Sequence, residues 1–285
     1  MHINYEIRIH NKMMRILRAM ARSSSQILAL MIRYRHILIA TTKVEIAKRN
    51  SGLALGLVWV GLYPLLLLGV YLFVYLVVFK MRFPGYSEMD YVLYVFAGLV
   101  PYIGLSEAIQ SGTQSIKQNI HLVKNVMLPI EIVPVRAVAA ALVGQVVLLM
   151  LVAVLAALNG SLSPFIVMLP LVLALQFLFL LGIVFVLSAV ALVVQDIAHF
   201  VNLAIMLMMF LSPIGFRADM LPQGYDILVW GNPISYLLDA YRFTLLSNHP
   251  TSATMLAMYA GISIGFFVLG ATFFQRFKGA LVDYE

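Results

Sequence analysis

Six stretches of this chain run for about twenty residues or more with almost no charged side chain, and nothing else in the sequence limits the possible folds so strongly. Leu53 to Phe79 carries none, Tyr91 to Ile116 only Glu107, and Ile132 to Leu158 only Arg136. Pro164 to Val194, Ile197 to Phe216 and Thr254 to Gln275 carry none. A helix needs about 20 mostly apolar residues to cross a hydrocarbon core of about 30 Å, and in lipid every backbone amide must be bonded internally. The runs are continuous rather than alternating, which excludes barrel strands. Composition agrees. The chain is 62% hydrophobic and 11% charged, against about half and a quarter in soluble domains. The expected fold is an all-α integral membrane protein with six transmembrane helices at about 53–79, 91–113, 134–158, 164–194, 197–215 and 254–275.

The cations give the orientation. With a cytoplasmic N-terminus, fifteen of the nineteen Lys and Arg residues fall inside. Only Lys80, Arg82, Arg217 and Arg242 fall outside. The positive-inside rule therefore predicts a multi-pass protein with both termini in the cytoplasm. The net charge of +7 has the same origin, in a basic arm drawn to anionic headgroups, and requires no nucleic-acid partner. Cysteine is absent, which removes disulfides and thiolate chemistry.

Residues 1–50 form that arm, ahead of a membrane domain over 51–278 and a short cytoplasmic tail at 279–285. Wound as a helix, Met13, Ile16, Leu17 and Met20 share one side, and Lys12, Arg15, Arg18 and Arg22 the other. An interfacial helix is expected there, with a second over Gln26 to Asn50. The pattern also fits an organelle transit peptide.

Two connections are more than turns. Gly215 to Pro250, between spans five and six, is apolar yet cut by Pro222, Gly224, Asn232 and Pro233 into pieces too short to cross. Short re-entrant helices from the outer side are expected, sheltered by protein. Residues 115–128 place Ile116, Ile120, Val123 and Met127 at helical spacing, with Lys117, His121, Lys124 and Asn125 mostly on the other faces. Pro129 and Pro134 then end the helix and restart the chain. This is either a short amphipathic cytoplasmic helix that touches a partner or a solvated turn.

Leu55-Gly56-Leu57-Val58-Trp59 followed by Leu62 and Pro64, FAGLVPYIGLSEAI from Phe96, NIHLVKNVMLPIEIVPV from Asn119, Asp196-Ile197, LSPIGF from Leu211 and Asn232-Pro233 with Arg242 occur in that order. In this ordered set the chain resembles the membrane subunits of type-2 ABC exporters, most of all the polysaccharide-export branch that moves O-antigen, capsule or teichoic acid. The resemblance implies a coupling helix around Lys117, Asn119, His121, Lys124 and Asn125, with Asp196, seated on a separate ATPase subunit. It implies two copies of this chain, two ATPase subunits, a conduit on the twofold axis and the bacterial cytoplasmic (inner) membrane. The residues require such a partner independently. No glycine is followed by lysine, so this chain has no phosphate-cradling G-x-x-x-x-G-K-[ST] loop. No cofactor is expected here, ATP and Mg belonging to the partner, and no enzyme activity.

Trp59, Tyr63, Tyr71, Tyr75 and Phe79 are separated by multiples of four and form a slowly winding ridge on the first span. They read as a stacking path for sugar rings or as interface anchors. Glu107 is the deepest acid, suited to a structural bond or to a cation or water in the conduit. Pro213, Asn232, Pro233, Tyr241 and Arg242 mark an outer gate, where Arg242 either binds glycan or headgroup phosphate or snorkels. Arg33, Arg35, Lys48 and Arg49 approach the first span and either hold a lipid-linker phosphate or serve topology. The six histidines show no metal spacing, and no catalytic constellation stands out. The expected function is therefore the permease subunit of an ATP-driven exporter of lipid-linked polysaccharide. An exporter of drugs or small lipids is the alternative.

Overall fold

The computed structural model describes residues 2–50, 58, 59, 62, 65, 66, 69, 70, 73–78, 86–120, 128–217, 220–222, 224, 225, 227–247 and 253–283. Its helices are α1 (His2–Arg33), α2 (Arg35–Asn50), α3 (Glu88–Gln118), α4 (Ile132–Leu158), α5 (Leu169–Val193), α6 (Ile197–Leu211), α7 (Ile227–Trp230), α8 (Pro233–Leu245) and α9 (Ala253–Asp283). A π-helical segment, Phe73–Val78, belongs to the first apolar run. A 3₁₀ turn, Pro164–Met168, leads into α5. Among the described residues, extended pairing is confined to one isolated bridge, Leu162 with Leu246.

Among those residues, four helical stretches are long and apolar enough to cross a membrane: α3, α4, α5 with its leading turn, and α9. The fifth apolar run behaves differently. It is helical only over the 15 residues of α6, about 22 Å at 1.5 Å per residue. Ser212 leaves the helix because the residue before a proline, here Pro213, is pushed to extended backbone; its ψ is 144°. The arm also differs from expectation. The serine run does not break the first helix, because Ser24 and Ser25 hydroxyls donate to the carbonyls of Met20 and Arg22 at 3.0 and 2.9 Å. That back-bonding satisfies the hydroxyls inside a helix, and the break falls instead at Tyr34.

Close packing selects small residues at one crossing. A Cβ on Gly182 of α5 would lie 2.2 Å from the Phe266 carbonyl oxygen of α9, and one on Gly270 would lie 2.0 Å from the Gly182 oxygen. The two backbones meet there, as small residues permit in helix pairs that lipid cannot drive together hydrophobically. Helix α3 packs on α4, α5 and α8, while α1 leans on α9 and α2 on α4.

Polar contacts assign the ends of the bundle. At one end Ser87 caps α3 in a reciprocal box with Asp90, and Asn159 donates to Asp90 at 2.9 Å. Ser163 and Ser247 amides donate there to the Leu245 and Ser161 carbonyls at 3.1 and 2.8 Å. At the other end Glu45 of α2 pairs with Arg136, and Lys278 of α9 with Glu131. The arm and the last helix thus finish at the same end.

Candidate functional site

Three polar assemblies are built into this apolar bundle. The first closes the end where α8 enters. Asn232 starts that helix, its Oδ1 accepting from the Ile234 amide at 2.9 Å while its Nδ2 donates to Ser212 Oγ at 3.0 Å. Pro233 follows at the first helical position, where its missing N–H costs nothing. Nine residues on, Arg242 is fully buried. One terminal nitrogen donates to the carbonyls of Pro213 and Ile214 at 2.7 and 2.9 Å, and Nε to that of Tyr94 at 3.4 Å. The guanidinium lies 3.7 Å from the centre of the Tyr94 ring, and Asp239 is 3.6 Å from its other nitrogen. Tyr91 and Tyr94 hydroxyls donate to the Gly215 and Phe216 carbonyls at 3.1 and 3.3 Å. Irregular backbone at this depth carries carbonyls that lipid cannot satisfy, and Arg242 with two tyrosines supplies their donors. Gly98 leaves room, since a Cβ there would come within 2.7 Å of the guanidinium.

The second assembly joins helices mid-bundle. Gln145 of α4 and Gln176 of α5 exchange amide hydrogen bonds of 2.8 and 2.9 Å. Gln145 gives its other hydrogen to the Tyr241 hydroxyl at 3.0 Å, and that hydroxyl donates to Gln176 Oε1. Gln176 gives its second to the Pro101 carbonyl at 3.3 Å. Each amide hydrogen of both side chains is used, so a buried network that would be costly half-made is complete. A Cβ on Gly104 would lie 1.9 Å from Gln145 Oε1. Glycine is required there for the network to close.

The third lies at the opposite end. Glu131, wholly buried, accepts from Lys278 Nζ at 2.6 Å and Gln275 Nε2 at 3.2 Å. Its Oε2 has no hydrogen-bond partner among the described residues. Arg136, five residues on, reaches Glu45 at 3.4 Å. The start of α4, directly after the 115–128 stretch, is therefore bound to both α2 and α9.

These contacts settle where the sequence-predicted residues lie. The five residues expected at an outer gate lie at one end of the bundle: Pro213 and Arg242 joined by a hydrogen bond, Asn232 and Pro233 at the start of the same helix, and Tyr241 beside Arg242 but turned to the glutamines. Arg242 is buried, with Nε and one terminal nitrogen bonded to carbonyls, while its other terminal nitrogen, 3.6 Å from Asp239, has no hydrogen-bond partner among the described residues. Lys117 is exposed on the last turn of α3, which runs unbroken to Gln118, and Asn119 caps it by donating to the Ser115 carbonyl at 2.8 Å. His121, Lys124 and Asn125 lie outside the described residues. Asp196 is exposed in the turn between α5 and α6. Trp59 is partly buried; Tyr63, Tyr71 and Phe79 lie outside the described residues, as does the side chain of Tyr75. Arg33, Arg35 and Lys48 are exposed, the Arg49 side chain lies outside the described residues, and Glu107 is partly buried. No group of three or more His, Asp or Glu residues that could hold a metal occurs among the described residues. The glutamine pair and Glu131–Lys278 were not anticipated. Lone amides in runs otherwise free of them were the available signal.

The ABC-2 type transporter family model matches residues 38–246. An O-antigen export system permease protein, RfbA, of Myxococcus xanthus is 26% identical over 234 residues, covering 81% of this chain and 88% of that protein. A Klebsiella pneumoniae protein of the same name is 24% identical over 245 residues, 85% of this chain and 92% of its own length.

Proposed function

The chain belongs to the ABC-2 type transporter family, and on that premise we propose that it is the membrane-spanning permease subunit of an ATP-driven exporter of cell-surface polysaccharide. The observation that carries this is similarity along four-fifths or more of the chain to relatives named as O-antigen export permeases. The substrate is O-antigen or a chemically similar chain such as capsule or teichoic acid, presented on a lipid carrier. The assembly holds two copies of this subunit and two ATPase subunits, which carry ATP and Mg. In each copy the first apolar run and α6 with its buried extension complete six passages. Both termini face the cytoplasm, a reading supported by the cation distribution and by the common end reached by α2 and α9.

In this reading Lys117, Asn119, His121, Lys124, Asn125 and Asp196 meet the ATPase, and its movement is passed to the start of α4. The exposed Lys117 and Asp196, each next to an inner end of a long helix, support that. The aromatic residues Trp59, Tyr63, Tyr71 and Tyr75 flank the glycan, and Arg33, Arg35, Lys48 and Arg49 meet its linker phosphate. Tyr241 and Arg242 set the shape of the outer closure. Deleting the gene should remove polysaccharide from the cell surface and leave lipid-linked chains inside, restored only by this subunit together with its ATPase. Normal surface polysaccharide with lost efflux of small amphiphiles would overturn the assignment in favour of a drug or small-lipid exporter.

A further inference from the structure

A cavity of about 260 Å³ lies behind α6. Its floor is Tyr102 and Leu105 of α3, Phe179 of α5 and Val201 of α6, all buried, and its rim includes Ala204 and Phe266, both exposed. The lining is wholly apolar, since the one hydroxyl nearby, on Tyr102, is committed to the Ile205 carbonyl. Protein interiors normally leave few voids larger than a water molecule. This one is large enough for roughly nine water-sized groups at about 30 Å³ each, and an apolar cavity of about 150 Å³ already takes up benzene.

Three observations decide what fills it. Most lining positions fall near the middle of α3, α5, α6 and α9, with Pro233 and Ile234 at the start of α8, which places the cavity within the apolar part of the bundle. Nothing in the lining could pair with a sugar hydroxyl, a phosphate or water, each of which would enter unsatisfied. Finally, α6 is thinly seated: Val201 is its one buried residue, while Phe200, Leu203, Met206, Leu207 and Phe210 are exposed. Among the described residues this helix packs mainly on α3 and more thinly on α5, and the cavity stands behind it. We propose that this cavity binds the distal half of one acyl chain of a bilayer phospholipid, which wedges α6 against the body of the subunit. The headgroup stays outside at the membrane surface. Only methylenes enter, and they supply the dispersion contacts that α6 does not obtain from the protein. The proposal is independent of which substrate the exporter carries.

The test uses the complex of this subunit with its ATPase in nanodiscs of phosphatidylethanolamine and phosphatidylglycerol, doped with a phosphatidylcholine bearing a diazirine near one acyl terminus. After irradiation, adducts mapped by mass spectrometry should be several-fold more frequent on Leu105, Met208 and Phe266 than on Val147 and Met150, exposed residues of α4. Ala204→Phe, which narrows the mouth, should abolish the excess and leave adducts at Val147 unchanged. If that variant does not assemble, Ile183→Phe makes the same test from α5. Equal labelling of cavity and control residues, or an excess that survives a narrowed mouth in an assembled variant, overturns the proposal. Preferential labelling by a photoreactive polyprenyl phosphate in the same discs also overturns it, by giving the cavity to a substrate carrier.

Discussion

Replacing Lys278 by methionine should destabilise the subunit more than replacing its partner Glu131 by glutamine, although both changes break the same ion pair. The asymmetry follows from burial. Glu131 is 0% exposed, whereas the Lys278 side chain is 39% exposed. Removing one partner of a buried pair costs about 3–5 kcal/mol, mostly because the other charge is stranded. In Lys278→Met the stranded charge is the carboxylate, left with Gln275 Nε2 at 3.2 Å and an Oε2 already lacking a bond. That remaining bond offsets about 1.5 kcal/mol, so the net cost is about 3 kcal/mol. In Glu131→Gln the ammonium can turn to solvent, and the loss is that of an exposed pair, about 1 kcal/mol. The double variant should resemble Glu131→Gln, giving a coupling of about 3 kcal/mol in magnitude. At about 2–4 °C per kcal/mol, thermal unfolding in fixed detergent and lipid should fall by roughly 6–12 °C for Lys278→Met and 2–4 °C for Glu131→Gln. The reasoning fails if Lys278→Met melts with the parent, or if Glu131→Gln proves the worse of the two.

Gly104→Ala should cost about 1–3 kcal/mol by forcing Gln145 out of its network, and Gln145→Ala should suppress most of that loss; additive melting shifts would refute the clash. Arg242→Lys should raise amide exchange over residues 212–217 and lower stability by about 2 kcal/mol, because a point charge cannot span two carbonyls and a ring face, whereas unchanged exchange would remove Arg242 from that role. Charge reversal at Lys117 and Lys124 together should uncouple ATP hydrolysis from export while the subunit still inserts, and full export would exclude the docking reading. Arg35→Lys with Arg49→Lys should keep topology but lower substrate-stimulated hydrolysis if these residues hold a linker phosphate; normal export would reduce them to orienting charges.

How much of this was legible beforehand depends on which physical force fixes each feature. Transfer of apolar side chains out of water is non-directional and additive along the chain, so the runs that became α3, α4, α5 and α9 could be read from composition alone. The start of α8 could also be read, because Asn232 and Pro233 act locally, through a cap and a fixed φ. The end of α6 was misplaced by a few residues, because hydropathy continues through Pro213 to Phe216 while helical hydrogen bonding does not. The second arm helix begins at Arg35 rather than at Gln26, since the hydroxyls of Ser24 and Ser25 bond back within the first helix.

The polar assemblies lie beyond that reach, since each depends on partners far apart in the chain. Glu131 and Lys278 are separated by 147 positions, and Tyr94 and Arg242 by 148. No periodicity links such pairs. What the sequence does carry is an imbalance: a lone Gln145, Gln176, Glu131 or Arg242 in an apolar setting must find a partner or cost several kcal/mol. That constraint states that a bond exists without saying to what. The small residues opposite these groups supply the complementary half, because Gly98 and Gly104 leave the volumes that Arg242 and Gln145 occupy. An intramembrane polar residue and a glycine on another span are thus one feature seen from two helices. The two glycines stand six residues apart on α3, each matched to a polar side chain on a different helix, which makes α3 the template on which α4 and α8 are registered.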